Sequence, residues 1–282
     1  MTRFQSRTTS FQGPMDNDML RAAAPSIFAL EPWQAMSHKY AFVPTIDVVE
    51  AMRREGFQPV KAMQSSSRTE GKADFTKHLL RLRHVDARPM VNDVYPEIVL
   101  INSHDGTSAY QMHAGLFRLV CANGMVVADS TFSKLSLRHS GDIANEVIAA
   151  AFSVAEAIPQ LQERVERFRT IELHPDERRV FAQAALQVRY PDKDDKPTSP
   201  ITVEQLLRPR RSEDNKGDLF TVLNTCQEAL LKGGVRGISA TLTPGQPRRR
   251  HTTREVKSVS GDISLNKALW TLAERMAELK AA

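Results

Sequence analysis

The feature that most constrains the fold is a helix-length segment followed by three strand-length segments, all between residues 45 and 103. In TIDVVEAMRRE, residues 45–55, apolar residues recur at helical spacing, with Thr45 as a suitable N-cap and Gly56 at the C′ position. The three strand-like segments that follow are residues 57–64, 75–84 and 97–103. Because the connections between them are short, we expect an antiparallel meander that is entered from a helix.

The next part of the chain has two open interpretations. The Asn-Gly pair within residues 110–125 could close a hairpin, or it could end a short helix over residues 113–122. The spacing of the apolar residues slightly favours the helix. Residues 131–139 alternate between apolar and polar side chains, and this alternation predicts a fourth strand.

A long amphipathic helix is predicted over residues 142–170, with a kink at Pro159. The fold is therefore expected to be α+β: a helix-led antiparallel sheet of three to four strands, backed by this long helix and followed by a helical C-terminal region. The predicted parts are an N-terminal arm (1–36), an α+β core (37–174), a helical region (175–282), a linker within it (190–200) and a basic, mobile segment (236–257).

The composition is typical of a soluble globular protein, with 282 residues, 41% apolar residues and a formal net charge of +5. No apolar run approaches the roughly 18 residues of a transmembrane helix, and the N-terminus has no apolar region of a secretory signal. The two cysteines, Cys121 and Cys226, lie far apart in sequence. We therefore expect a cytoplasmic protein without membrane contact, whose thiols are reduced and buried.

Sequence motifs for cofactor chemistry are missing. Neither G-x-x-x-x-G-K-[ST] nor G-x-G-x-x-G occurs, so no nucleotide site is predicted. His104, Asp105 and His113 could be combined into a metal site, but no H-x-x-x-H or C-x-x-C spacing supports one, and Asp105 is better interpreted as a turn residue. Ser103 does not lie on a G-x-S-x-G turn. We expect no enzyme activity, cofactor or metal.

Cations recur on one side of KHLLRLRH, residues 77–84, which as a strand would carry Lys77, Arg81 and Arg83 on one face. SKLSLRH, residues 133–139, shows the same pattern. Such a face is either a solvated surface or one that follows a phosphate backbone, and the sequence leaves both interpretations open. The candidate nucleic-acid-binding residues are these cations and two basic clusters: Lys61, Arg68, Lys77, Arg81, Arg83, Lys134, Arg138, Arg208, Arg210, Arg211, Arg248, Arg249 and Arg250.

Several long stretches of the chain form specific motifs: YAFVPTIDVVEAMRREGFQPVKAMQSSSR, KHLLRLR, PEIVLINSHDGTSAYQM, FRLVCANGM and DISLNKALWTLAE. These motifs resemble the YafZ/YfjQ/YubP family of plasmid and prophage proteins, and the similarity spans about residues 25–275. The resemblance implies a bacterial mobile element, such as a plasmid, an integrative element or a prophage. It supplies no catalytic residues to transfer.

A second resemblance concerns the arrangement of elements. YAFVPTIDVVEAMRREGFQPV followed by two strands is similar to the opening of Rad-type and RecT-like single-strand annealing proteins, in which a helix, a three-stranded antiparallel sheet and a long helix follow one another. This chain departs from that pattern by inserting residues 103–141 before the long helix. The resemblance implies single-stranded DNA as partner, no requirement for ATP, and a homo-oligomer such as a ring or filament.

The favoured hypothesis is an ATP-independent protein that binds and anneals single-stranded DNA during recombination of a bacterial mobile element. The alternative is a regulatory or anti-defence protein of such an element, whose basic faces meet an acidic protein partner. A metal-dependent nuclease would need paired acids on adjacent strands, and the sequence shows no evident pairing.

Overall fold

In the computed structural model, the chain forms two compact units, residues 1–159 with 257–260, and residues 160–256 with 261–282. The sequence placed the division at residue 174, and the units divide at Pro159. The first unit contains an antiparallel sheet with helices and the second is mainly helical, which confirms the α+β class. The structure describes residues 13–37, 40, 42–89, 94–118, 124–126, 135–137, 143–156, 158–194, 197–238 and 250–281.

The first unit begins with α1 (Asn17–Ala23) and α2 (Thr45–Arg54). The extent predicted for α2 is confirmed, and Gly56 adopts a φ of 84° just after it, as expected for a C′ glycine. The expected N-cap is wrong: Pro44 occupies that position, and the Thr45 hydroxyl bonds buried side chains instead of the helix backbone. Tertiary hydrogen bonds have replaced the local cap.

One antiparallel sheet, whose strands differ in length, forms the centre of this unit. Its strands are β1 (Phe57–Gln64), β2 (His78–His84), β3 (Val94–Asn102), β4 (Tyr110–Arg118), β5 (Gly124–Val126) and β6 (Leu135–Leu137). The spatial order is β1-β2-β3-β4-β5, and β6 also pairs with β4. The predicted meander of the first three strands is therefore confirmed.

The helix favoured over residues 113–122 is wrong, because residues 110–118 form β4. This strand pairs with β3 along its length, with Val99 opposite His113 and Leu100 opposite Met112. The apolar spacing fitted a helix, but long-range pairing with β3 decided the conformation. Within the predicted fourth strand, β6 is the described part, and its flanking residues 131–134 and 138–139 lie outside the described residues.

The long helix predicted over residues 142–170 is covered by α3 (Ile143–Glu156) and α4 (Ile158–Thr170). Residue 157, between the two, lies outside the described residues, and Pro159 is the second residue of α4. α3 packs against α2, β3 and β4, so a helix does back the sheet as predicted.

Apolar side chains bury both faces of the central strands. On the face of the sheet that carries His78 and Asn102, side chains of α2 and the sheet are at most 1% exposed: Val48, Val49, Met52, Leu80, Leu82, Ile98, Leu100 and Met112. On the opposite face, Leu79, Val99 and Ile101 are also buried. This burial on both faces accounts for the continuous apolar run in β3.

The described part of the predicted N-terminal arm, from residue 13 onward, contacts the sheet. Met15 and Leu20 are buried, and the Met15 N–H donates to the carbonyl of Pro59 at 2.7 Å. Pro59 lies on the edge strand β1, where a residue without an N–H is tolerated. Residues 1–12 of the predicted arm lie outside the described residues.

The second unit contains most of the remaining helices and a short two-stranded ladder. These are α5 (Pro175–Arg189), α6 (Val203–Leu206), α7 (Leu219–Lys232), β7 (Arg236–Ile238), β8 (Arg250–Thr252) and α8 (Val259–Ala281), whose first two residues belong to the first unit. Their core includes Phe168, Phe181, Leu223 and Trp270. None of the described helices is both long and apolar enough to cross a membrane.

Residues 236–257 were predicted to be a basic, mobile segment, and the structure describes a two-stranded ladder at the two ends of this segment. β7 and β8 pair there in an antiparallel register, with Arg236 opposite Thr252 and Ile238 opposite Arg250. Residues 239–249, which connect the two strands, lie outside the described residues. The pairing joins residues that are far apart in sequence, so no local pattern could predict it.

Candidate nucleic-acid interface

The two arginines of β2 are directed at one buried carboxylate. Arg81 Nε donates to Oε2 of Glu97 at 2.6 Å, and Arg83 Nε donates to Oε1 of the same side chain at 3.0 Å. The Glu97 side chain is 0% exposed, and those of Arg81 and Arg83 are only 9% and 14% exposed. The guanidinium of Arg83 also lies over the ring of Tyr95, with Cζ 4.1 Å from the centroid.

This cluster revises both interpretations of the β2 cations. The face is neither an open solvated surface nor an open phosphate-binding surface, because a charged acceptor from β3 occupies the donors of both arginines. A buried carboxylate requires such compensation, since an unpaired buried charge is strongly destabilising. The sequence contained one signal for this arrangement, a glutamate at the start of an otherwise apolar strand, but its partner depended on the register of β2 and β3.

The other predicted cations of the first unit differ in their surroundings. Arg68 is exposed in the connection between β1 and β2, and Lys61 is half-buried on β1, with its Cα opposite Arg81. Lys77 donates from Nζ to the Ser260 hydroxyl at 3.3 Å. Lys134 and Arg138 lie outside the described residues. Arg68 is therefore the predicted residue here that the structure leaves most accessible.

A buried polar cluster fixes the start of α2 to the end of the sheet. The Thr45 hydroxyl lies 2.9 Å from Nε2 of His78 and 3.1 Å from Nε2 of His104, and it accepts a hydrogen bond from Nδ2 of Asn102 at 3.0 Å. All four residues are 0% exposed. The Tyr110 hydroxyl, 3.4 Å from Thr45 Oγ1, donates to the carbonyl of Val43.

The hydrogen-bond partners assign the proton positions within this cluster. Nδ1 of His78 lies 3.1 Å from the Thr76 carbonyl oxygen, which can only accept, so Nδ1 carries the proton. Nε2 of His78 then accepts from the Thr45 hydroxyl, and Thr45 in turn accepts from Nε2 of His104. Burial lowers the pKa of His78 to about 4, so the ring is neutral in the folded protein near neutral pH.

The three residues considered as metal ligands are held apart by different partners. His104 bonds Thr45, whereas Asp105 pairs with the ammonium of Lys72 at 3.1 Å. Burial opposes ionisation of Asp105, but hydrogen bonds from Thr107 and Lys72 outweigh it and lower the pKa of the carboxyl. His113 lies on the opposite face of β4 from Tyr110 because their positions differ by an odd number. Within the described ranges, no cluster of three or more His, Cys, Asp or Glu side chains could hold a metal ion.

The predicted basic clusters of the second unit contain both paired and accessible arginines. Arg211 bonds two carboxylates, at 2.7 Å to Asp214 and 2.9 Å to Glu228, and Arg210 donates to the carbonyl of Gly233. Arg208 and Arg250 are exposed, and Arg248 and Arg249 lie outside the described residues.

Two further exposed arginines, Arg236 and Arg254, were not among the predicted site residues. Arg236 opens β7, and the ladder makes it a diagonal neighbour of Arg250, while Arg254 follows β8 by two residues. In sequence, neither of them belongs to the three consecutive arginines at residues 248–250.

Comparisons with known proteins identify the family. The family described as "Domain of unknown function (DUF932)" matches residues 32–270. The chain is 38% identical over 263 residues to UPF0380 protein YafZ of Escherichia coli (strain K12), covering 93% of this chain and 92% of YafZ. It is 37% identical over 263 residues to UPF0380 protein YfjQ of the same organism, with the same coverage. No solved structure matches the chain. The chain therefore belongs to the DUF932 family, and the relationship to YafZ and YfjQ that its motifs indicated is confirmed.

Proposed function

We propose that this protein binds single-stranded DNA and anneals complementary strands without ATP, as a recombination protein of a bacterial mobile element. It does so as a homo-oligomer, because annealing requires bases of one strand to be presented along a groove shared by several subunits. The protein acts by binding and positioning, and catalyses no covalent step.

The observation that carries this proposal is the order of elements in the first unit. α2 leads directly into the antiparallel meander of β1, β2 and β3, and α3 returns to pack against the sheet. This is the order implied by the resemblance to single-strand annealing proteins. The residues inserted before α3 include β4, which extends the same sheet and leaves the helix-led meander intact.

The charge distribution moves the expected DNA contacts away from Arg81 and Arg83. A phosphate would have to compete with the Glu97 carboxylate for these donors, whereas Arg68 is exposed beside the β1–β2 connection. Arg68 makes no ion pair with any residue that the structure describes. Exposed cations next to a strand connection can follow a phosphate backbone without loss of a structural ion pair.

Binding of a fluorescein-labelled oligonucleotide tests the proposal. We expect the affinity for a single strand to fall steeply between about 50 and 200 mM salt, with a logarithmic slope set by the number of phosphates contacted. Complementary strands should anneal faster with the protein present and no nucleotide added. Light scattering should show a defined oligomer on the single strand.

A matched pair of variants locates the surface. Arg68→Glu should weaken binding several-fold and reduce the salt slope by about one, as expected for a residue that holds one phosphate. Arg179→Glu makes the same charge change on α5 and should bind like the wild type. No binding at about 50 mM salt would exclude the proposed function and favour action through an acidic protein partner. Cleavage of the oligonucleotide that stops with a chelator would indicate a nuclease.

A further inference from the structure

We propose that the ladder of β7 and β8 is a second phosphate-binding surface, by which the second unit holds the backbone of the bound DNA. We call it the basic ribbon and define it by three exposed arginines: Arg236 and Arg250 on the ladder, and Arg254 just after β8. This inference rests on the proposed function, since it assigns a further contact to the same ligand.

One face of β7 is held against the rest of the second unit. A Cβ on Gly237 would lie 2.0 Å from the carbonyl oxygen of Pro200 and 2.7 Å from Ile201, so the backbone of β7 is in direct contact with this segment. The Arg236 carbonyl also accepts from Nε2 of Gln205 at 3.1 Å. Only glycine permits so close an approach, which fixes the orientation of the strand.

The base of the ladder is tied to the end of α7. The Gly234 N–H donates to the carbonyl of Thr253 at 2.8 Å, and the Thr253 N–H donates to the carbonyl of Val235 at 2.9 Å. The Val256 N–H donates to the carbonyl of Leu231 at 2.8 Å. These bonds place the ladder on a rigid helical support, so its arginines are presented by a fixed scaffold.

The opposite face of the ladder presents the arginines outward. Side chains alternate along a strand, so Arg236 points away from the side on which Gly237 meets Pro200. In the antiparallel register, Arg236 lies opposite Thr252 and Ile238 opposite Arg250, which places Arg236 and Arg250 on one face as diagonal neighbours. Diagonal neighbours in such a ladder are about 7–8 Å apart.

The arginines of the basic ribbon lack the carboxylate partners found elsewhere in the protein. Arg81, Arg83 and Arg211 each bond a buried acid, whereas no carboxylate among the described residues forms an ion pair with the three ribbon arginines. Glu255 is the one acid in residues 233–258, against six cations: Arg236, Arg248, Arg249, Arg250, Arg254 and Lys257.

These properties favour a phosphate backbone as the ligand. Neighbouring like charges repel one another in the free protein, and an anion removes that repulsion on binding. Guanidinium groups match phosphate oxygens with two parallel hydrogen bonds, and the exposed residues of β8, Arg250, His251 and Thr252, are all polar. A protein partner would be expected to bury a larger apolar centre, whereas the register gives this face one apolar residue, Ile238, opposite Arg250.

A charge-reversal experiment on the complete protein tests the basic ribbon. Arg236→Glu/Arg250→Glu should bind a labelled single strand at least tenfold more weakly at about 100 mM salt, and its salt slope should fall by about two. Arg179→Glu/Arg275→Glu makes the same net charge change on helices of the same unit and should stay within about twofold of the wild type. Arg236→Gln/Arg250→Gln should lie between the reversal and the wild type.

The outcomes separate this inference from the proposed function. If the wild type binds DNA and the ribbon variants bind equally well while melting at the wild-type temperature, the basic ribbon is not a DNA contact, and the proposed function stands. If the glutamate variant melts at a lower temperature than the wild type, the DNA affinity of Arg236→Gln/Arg250→Gln decides, since glutamine introduces no charge repulsion. Wild-type affinity of that variant would overturn the inference. If the wild type does not bind, both proposals fail together. Equal losses in the ribbon and control variants would show a general effect of net charge and would also overturn the inference.

Discussion

Arg81 and Glu97 form a buried ion pair between neighbouring strands, with Nε of Arg81 2.6 Å from Oε2 of Glu97. The second carboxylate oxygen is bound by Arg83, so one acid holds two arginines of β2 in place. Replacing either arginine with glutamate would put two acids together in a buried site. Such variants would be destabilised, so weaker DNA binding would not identify a lost phosphate contact. Arg68 and the basic ribbon are therefore the better targets.

Glu97→Gln should destabilise the first unit by about 3–5 kcal/mol, because it leaves two arginines largely buried without a counter-charge. Urea unfolding followed by circular dichroism measures the change. The matched control is Glu50→Gln, which removes the carboxylate of a pair with Arg53 in which the glutamate is 42% exposed. That substitution should cost under about 1 kcal/mol. Similar costs for both variants would argue against a special role for the buried pair.

Thr45→Val should lower the free energy of unfolding by about 2–4 kcal/mol, although it preserves the shape of the side chain. The valine leaves His78, His104 and Asn102 without the hydroxyl that joins them. Thr45→Ser keeps the hydroxyl and removes one methyl group, and should cost about 1 kcal/mol. If serine proves as harmful as valine, packing of the methyl group and not the hydrogen bonds would explain the effect.

Stability should fall between pH 6.5 and pH 4 because of His78. Burial lowers the pKa of its ring from 6.5 to about 4, so in this range the unfolded chain binds a proton that the folded chain does not. Unfolding then takes up a proton, and its free energy decreases as the pH falls, by as much as about 3 kcal/mol. Urea midpoints of the wild type and His78→Gln at several pH values measure the contribution. Parallel pH profiles for the two proteins would contradict the assignment.

Gly233→Ala should be far more damaging than Gly234→Ala. Gly233 has a φ of 64°, and a Cβ there would lie 2.5 Å from the carbonyl carbon of Arg254, so a strain of about 1–3 kcal/mol adds to a backbone clash. Gly234 also has a positive φ, of 76°, but a Cβ added there would lie 4.0 Å from its nearest neighbour, Nη2 of Arg210. Only the strain of about 1–2 kcal/mol applies there. Thermal melts compare the two, and equal losses would contradict the close contact with the ladder.

Cys226 should not react with thiol reagents in the folded protein. It is 0% exposed on α7, and burial raises the pKa of its thiol to about 12, so almost no thiolate is present near neutral pH. In the Cys121→Ser background, labelling by a disulfide reagent should proceed only at the rate of unfolding, and urea should accelerate it. Rapid labelling of the native protein would contradict the buried position.

Local periodicity was sufficient to predict the elements that begin the first unit. α2, β1 and most of β2 follow from apolar spacing and from the glycine at residue 56, because these signals lie within one element. The family also follows from sequence, since its motifs are long. The choice between helix and strand at residues 110–118 could not be made locally, because pairing with β3 outweighed the apolar spacing.

The surroundings of the candidate site residues depended on tertiary structure more than the helices and strands did. The sequence alone determined which residues carry positive charge and that they alternate along a strand. Only the register of β2 and β3 placed Glu97 against Arg81 and Arg83, and only the pairing of β7 with β8 brought Arg236 beside Arg250. The physical reason is that the free energy of a charge depends on its neighbours and its access to water, and both are set by residues distant in sequence.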